Sequence, residues 1–152
     1  MAANVYVDGF NLYYGCLRRT SFKWLDLVKL CRALLPAEDV QRVRYFTARI
    51  KGRPGDMEGP ARQDAYLRAL ASNPIVSIHL GHFLQSKVRM MLADPPANGP
   101  RTAEVLKMEE KGSDVNLATY LLVDAFRRDC NLAVVVTNDS DLLEPIRIVP
   151  TA

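Results

Sequence analysis

Four aspartates carry the chemical signal in this sequence: Asp8 in "VYVDGFNLYYG" (5–15), Asp114 in "KGSDVNLA" (111–118), and Asp139 and Asp141 in "TNDSDL" (137–142). Singly, each has an ordinary role as a turn former or helix cap, because its oxygens accept backbone N–H bonds. Brought to one place, like charges raise one another's pKa and are relieved by a cation. An all-oxygen set without histidine suits Mg²⁺ or Mn²⁺. Such an ion polarises a phosphodiester and lowers the pKa of the water that attacks it. Asn11, Ser113, Asn116, Asn138 and Ser140 are placed to orient ligands of this kind.

A parallel sheet would gather the four. "NVYVD" (4–8) reads as a buried strand running into a helix at "NLYYGCLRR", and "LAVVV" (132–136) as a second apolar strand before the "TNDSD" turn. Between them, helical spacing marks 24–36, 61–72 and the stretch from Asp114. That last stretch has Leu117, Ala118, Leu121, Leu122, Ala125 and Phe126 on one face. "VQRVRYFTARI" (40–50) alternates apolar and basic residues, which predicts a strand with one wetter face. Residues 75–85 predict a strand, with 86–92 as a second hairpin arm. Glycine and proline predict loops at 51–60 and 93–104. Strands alternating with helices predict an α/β fold with a mostly parallel sheet covered on both faces. Ligands of such sheets gather at the carboxyl ends of the strands, where all four aspartates fall.

The 152 residues suit a single domain over 1–152, and 49% hydrophobic with 24% charged residues is an ordinary globular composition. A net charge of +3 permits a polyanionic partner. Cys16, Cys31 and Cys130 lack metal-type spacing and read as free thiols in a reducing cytoplasm. No apolar run predicts a membrane span, and no signal peptide is expected. His79 and His82 read as structural histidines.

The blocks "VYVDGFNLYYG", "EEKGSDVNLATYLLVDAF" and "AVVVTNDSDLLEPIRIV" resemble those of the NYN domain, the LabA-like branch of the PIN-like nucleases. The resemblance implies a three-layer α/β/α fold and an acidic Mg²⁺ or Mn²⁺ site that cleaves RNA. Carried over, the catalytic and metal-binding positions are Asp8, Asp114, Asp139 and Asp141, with Asn11 and Lys111 beside them. Asn138 stands where the family often has glycine. The family's domain continues into another strand where this chain ends in "RIVPTA", so a sheet without that last strand is expected, with Pro150 closing the final helix. A metal-dependent ribonuclease is the leading expectation, and a non-catalytic RNA-binding or regulatory module of the same fold the alternative.

For an RNA partner, the expected backbone contacts are Arg18, Arg19 and Lys23, then Arg42, Arg44, Arg49, Lys51 and Arg53, then Lys107 and Lys111. Phe10, Tyr13 and Tyr14 are available to stack on bases, although core packing is favoured for Phe10 and Tyr13. A Val-rich sheet edge at 132–136 would favour homo-oligomers.

Overall fold

The computed structural model describes residues 1–149; Pro150, expected to close the final helix, lies outside them. The chain runs β1 (Ala2–Asp8), α1 (Gly9–Leu12), α2 (Leu27–Leu34), β2 (Asp39–Thr47), α3 (Gly59–Ala71), β3 (Val76–Leu80), β4 (His82–Met91), β5 (Thr102–Lys111), α4 (Ser113–Arg127), β6 (Leu132–Val136) and α5 (Leu143–Ile148). Four strands form a parallel sheet in the order β3-β2-β1-β6, while β4 and β5 form a separate antiparallel ribbon.

Alternation along the central strands divides the core in two. Val5 and Val7 of β1 and Val43 and Tyr45 of β2 pack with Leu27, Val28 and Cys31 of α2 and Leu67 and Leu70 of α3. On the other face, Tyr6 and Phe46 pack with Leu117 and Leu121 of α4 and with Leu142. Helices therefore cover both faces of the sheet. Leu117 and Leu121 are essentially sealed from water, and burial of each contributes roughly 1.5–3 kcal/mol.

Local chemistry trims the expected elements. Asp26 accepts bonds from the N–H groups of Val28 and Lys29 at 3.1 Å, so α2 starts at Leu27 and not at Trp24. The first helix makes one turn and then widens into a π-helix over Tyr13–Leu17, where Arg18 N–H donates to the Tyr13 carbonyl. α3 starts earlier than expected, at Gly59, with Pro60 in its first turn, where a missing N–H costs nothing.

The largest departure is the hairpin. Residues 86–92 were expected as its second arm, but β4 runs through to Met91, and the second arm is β5. The irregular segment expected at 93–104 is thus shorter, because Thr102 already pairs with Met91. The wetter face expected for β2 is also corrected. Arg44 is buried, because Asp124 of α4 lies opposite and neutralises it.

Candidate active site at the carboxyl edge of the sheet

From β1 the chain builds outward through β2 to β3, and then returns to place β6 on the opposite side of β1. A crevice opens where the strand order reverses in this way, outside the carboxyl ends of the strands. Here the reversal lies between β1 and β6. A cavity of about 440 Å³ sits there, lined by Asp8, Phe10, Asn11, Glu110, Lys111, Gly112, Ser113, Asp114, Val115 and Asp139.

Asp8 ends β1 and caps α1, its Oδ1 accepting the Asn11 N–H at 3.0 Å. Its Oδ2 accepts the Thr137 hydroxyl at 3.2 Å, which ties the end of β1 to the end of β6. Burial pushes the Asp8 pKa up, and the nearby Asp139 and Glu110 charges add to the rise against the pull of the two hydrogen bonds. Gly9 is required next to it. A Cβ there would stand 2.5 Å from the Tyr45 ring and 2.8 Å from the Phe46 carbonyl.

The turn from β5 into α4 supplies the opposite wall. Gly112 takes φ +88°, a left-handed conformation open to glycine at little cost. Glu110 Oε1 accepts the Ser113 N–H at 2.9 Å, so Glu110 serves the start of α4 and Asp114 is left at the cavity. Asp114 accepts only the adjacent Val115 N–H, at 2.8 Å, and is not the helix cap. Gly81 holds this turn in place from below, since a Cβ on it would meet the Lys111 carbonyl at 2.5 Å.

Beyond β6, Thr137 Oγ1 accepts the Asp139 N–H and Asp139 Oδ1 accepts the Asp141 N–H, which winds the 3-10 turn Ser140–Leu142. Asn11 Oδ1 accepts the Asn138 N–H at 3.2 Å, a second tie between the two strand ends.

Of the expected site residues, the fold thus brings Asp8, Asp114, Asp139, Asn11, Lys111 and Ser113 to one cavity. Asp141 is exposed and does not line it. The backbone turns away after Asp139, so the carboxylate of Asp141 follows the helix. Ser140 and Asn138 are exposed on the same turn, and Asn116 donates to the Leu80 carbonyl at 3.4 Å instead of facing the cavity. Glu110 was missed. Its signal was the Glu-Lys-Gly-Ser run, a carboxylate three residues before a helix start.

The carboxylates surround the cavity without closing on a point. Among the described residues, no three His, Cys, Asp or Glu side chains are gathered to hold a metal ion. Half of the ten expected basic contacts are tied into internal ion pairs: Arg42 and Arg44 to Asp124, Arg49 to Asp64, and Lys107 and Lys111 to Glu109.

A second polar cluster lies on the α4 face. The Tyr6 hydroxyl donates to Asp124 Oδ2 at 2.8 Å. Arg44 lies 4.6 Å from the centre of the Tyr120 ring and approaches His79 Nε2 at 3.3 Å, and Ser77 approaches the same nitrogen at 3.1 Å. Burial and the Arg44 charge hold the His79 pKa below its ordinary value.

No family model matches the chain, and no solved structure matches it. Its likeness is to an oxidoreductase. The 6-hydroxy-3-succinoylpyridine 3-monooxygenase HspA of Pseudomonas putida (strain DSM 28022 / S16) is 34% identical over 174 residues, covering 98% of this chain and 55% of the relative. The chain spans about half the length of this curated relative. The similarity corrects the ribonuclease expectation, because a monooxygenase inserts oxygen and does not hydrolyse phosphodiesters. Among the described residues, no helix is long and apolar enough to cross a membrane.

Proposed function

We propose that this chain is the catalytic part of an oxidoreductase that oxygenates a substituted pyridine or a related aromatic acid at the acidic cavity. The observation that carries the reading is the 34% identity, across nearly the whole chain, to a 6-hydroxy-3-succinoylpyridine 3-monooxygenase. The cavity supports it: about 440 Å³ falls in the range of small-molecule sites, with Phe10 on its wall and Lys111 at its rim.

Monooxygenation consumes dioxygen, two electrons and two protons, and places one oxygen atom in the substrate and the other in water. In this reading a reduced nicotinamide or flavin supplies a hydride, hence both electrons and one proton, and solvent supplies the second proton. Lys111, held by Glu109 only through an exposed 3.5 Å contact, exchanges that partner for the substrate's carboxylate. Asp8, whose pKa is raised by burial, takes the proton from a ring hydroxyl and so enriches the ring for attack by oxygen.

A divalent cation, Mg²⁺ or Mn²⁺, is the second part of the proposal. The all-oxygen donor set fits an ion that keeps its waters and takes one carboxylate, Asp139, which leaves Asp8 free as the base, and does not fit a dry three-carboxylate cage. Bound there, it would supply positive charge for an anionic ring oxygen. The three sequence blocks and the helix-covered parallel sheet support placing the scaffold among PIN-like folds of the NYN kind. One fold hosts unrelated chemistries, since function lives in the site. Three unpaired thiols support a cytoplasmic setting.

The test is oxygen uptake with 6-hydroxy-3-succinoylpyridine and a reduced nicotinamide or flavin, using ¹⁸O₂ and mass spectrometry of the product. The expected result is substrate-dependent uptake with one labelled oxygen in the product, lost in Asp8→Asn. No substrate-dependent uptake, or full uptake in the variant, overturns the reading.

A further inference from the structure

The β4–β5 ribbon poses a physical problem that the rest of the fold leaves open. Each strand has ten residues, and the two pack on each other while neither packs extensively on any other element. A two-stranded ribbon is marginal in water unless one face is covered. The residues point to which face. Leu84, Val88, Met90 and Leu92 alternate with Lys87 and Arg89 along β4 and its continuation, the period of a half-buried strand. The pairing sets Val88 opposite Val105 and Met90 opposite Ala103, while Leu92 N–H donates to the Arg101 carbonyl one step beyond. From Val88 to Leu92 this face is apolar, with Ser86, Lys107 and Glu109 on it toward the ribbon base and Arg101 across from Leu92, while Lys87, Arg89 and Glu104 stand on the other face beside Met91 and Leu106. On the stripe, Leu84, Met90, Leu92 and Val105 are between 37% and 51% exposed.

We propose that this apolar face is a self-association surface, on which a second copy of the chain lays its own ribbon antiparallel about a two-fold axis near Val88. Charge favours a second copy as the occupant. The charges on this face are Lys107 and Glu109, joined at 2.9 Å toward the base, and Arg101 across from Leu92, so a two-fold near Val88 brings Arg101 of one copy to the Glu109 end of the other and sets opposite charges together. Size agrees. A ten-residue strand is about 33 Å long, and two such faces in contact cover on the order of 1,000 Å², the lower bound for a specific pair. The association is accordingly weak and concentration-dependent, and the antiparallel arrangement carries each ribbon tip toward the partner's cavity mouth at Lys111. This surface is distinct from the free edge of β6.

The test is sedimentation of the full chain across the micromolar range, with Val88→Glu, Val88→Lys and their equimolar mixture. Circular dichroism on the same samples checks the fold. The wild type should pass from monomer to dimer, each variant alone should stay monomeric at concentrations where the wild type is dimeric, and the mixture should recover the dimer. Met90→Lys, at a half-exposed side chain, should also be monomeric. A wild type that stays monomeric overturns the proposal. So does a dimer that persists in every variant, which would move the contact to another surface such as β6, or a folded mixture that does not reassociate.

Discussion

Arg44 on β2 grips Asp124 on α4 at two points, Nε to Oδ2 at 2.8 Å and Nη2 to Oδ1 at 2.9 Å, with both side chains sealed between sheet and helix. The pair joins α4 to the sheet far from the cavity, and α4 carries Ser113 and Asp114 at its other end.

Breaking this pair leaves one buried charge unpaired. Asp124→Ala is expected to cost roughly 3–5 kcal/mol in urea unfolding. Asp64→Ala, which removes the exposed Arg49 and Arg68 contacts, should cost far less despite a shorter distance of 2.6 Å to Arg49. Equal costs would show that the Arg44 pair is reached by water.

Asp8 predicts a pH dependence of stability. Its folded pKa is raised, so between the unfolded and folded values the native state holds the extra proton. Its ionisation therefore costs stability that is lost as pH rises through the folded value. Asp8→Asn should melt higher than wild type at neutral pH, and the gap should close as pH falls through the folded Asp8 pKa. Melting curves from pH 3 to 8, spanning the ordinary carboxylate range, measure this.

His79 works in the opposite sense. Its folded pKa is lowered, so below about 6.5 the unfolded state binds the proton first. Wild type should lose stability as pH drops below that value. His79→Gln should lose less over the same window, read by urea midpoints at pH 7 and pH 5.5.

The two aspartates of the last turn should separate in activity. Asp139 lines the cavity and Asp141 does not. In the oxygen-uptake assay, Asp139→Asn is expected to lose most of the rate and Asp141→Asn little. A comparable loss in both would place Asp141 at the reacting centre.

Gly9→Ala should disturb the site through packing alone. The added Cβ meets the Tyr45 ring and the Phe46 backbone, so overpacking of roughly 1–3 kcal/mol is expected. Gly15→Ala, where a Cβ meets nothing within 4 Å, is the matched control. Thermal melts of the two variants decide it.

The sheet and the meeting of Asp8 with Asp139 were legible because apolar runs and the carboxylates that end them are local signals. Asp141 misled because spacing says nothing about which way a turn carries the next side chain. The ribbon misled because the alternation of β4 continues to Leu92 with no local sign of where its partner begins. On α4, apolar periodicity placed Phe126 in the core, where it is 66% exposed, and passed over Asp124, which is buried. A charge becomes a core residue only when a distant partner exists, and Arg44 lies 80 residues away. The chemistry itself was not readable from the carboxylates, because one acidic cleft serves several reactions.

The bond from Thr137 to Asp8 closes a loop of 129 residues. β1 lies inside the sheet, and its neighbour β6 is made more than a hundred residues after it. Closing so long a loop is slow relative to local helix formation. The cavity therefore matures after the local helices, once β1 and β6 have met. Partly refolded protein should hold most of its helix before the Asp8–Thr137 tie and the cavity beside it are formed.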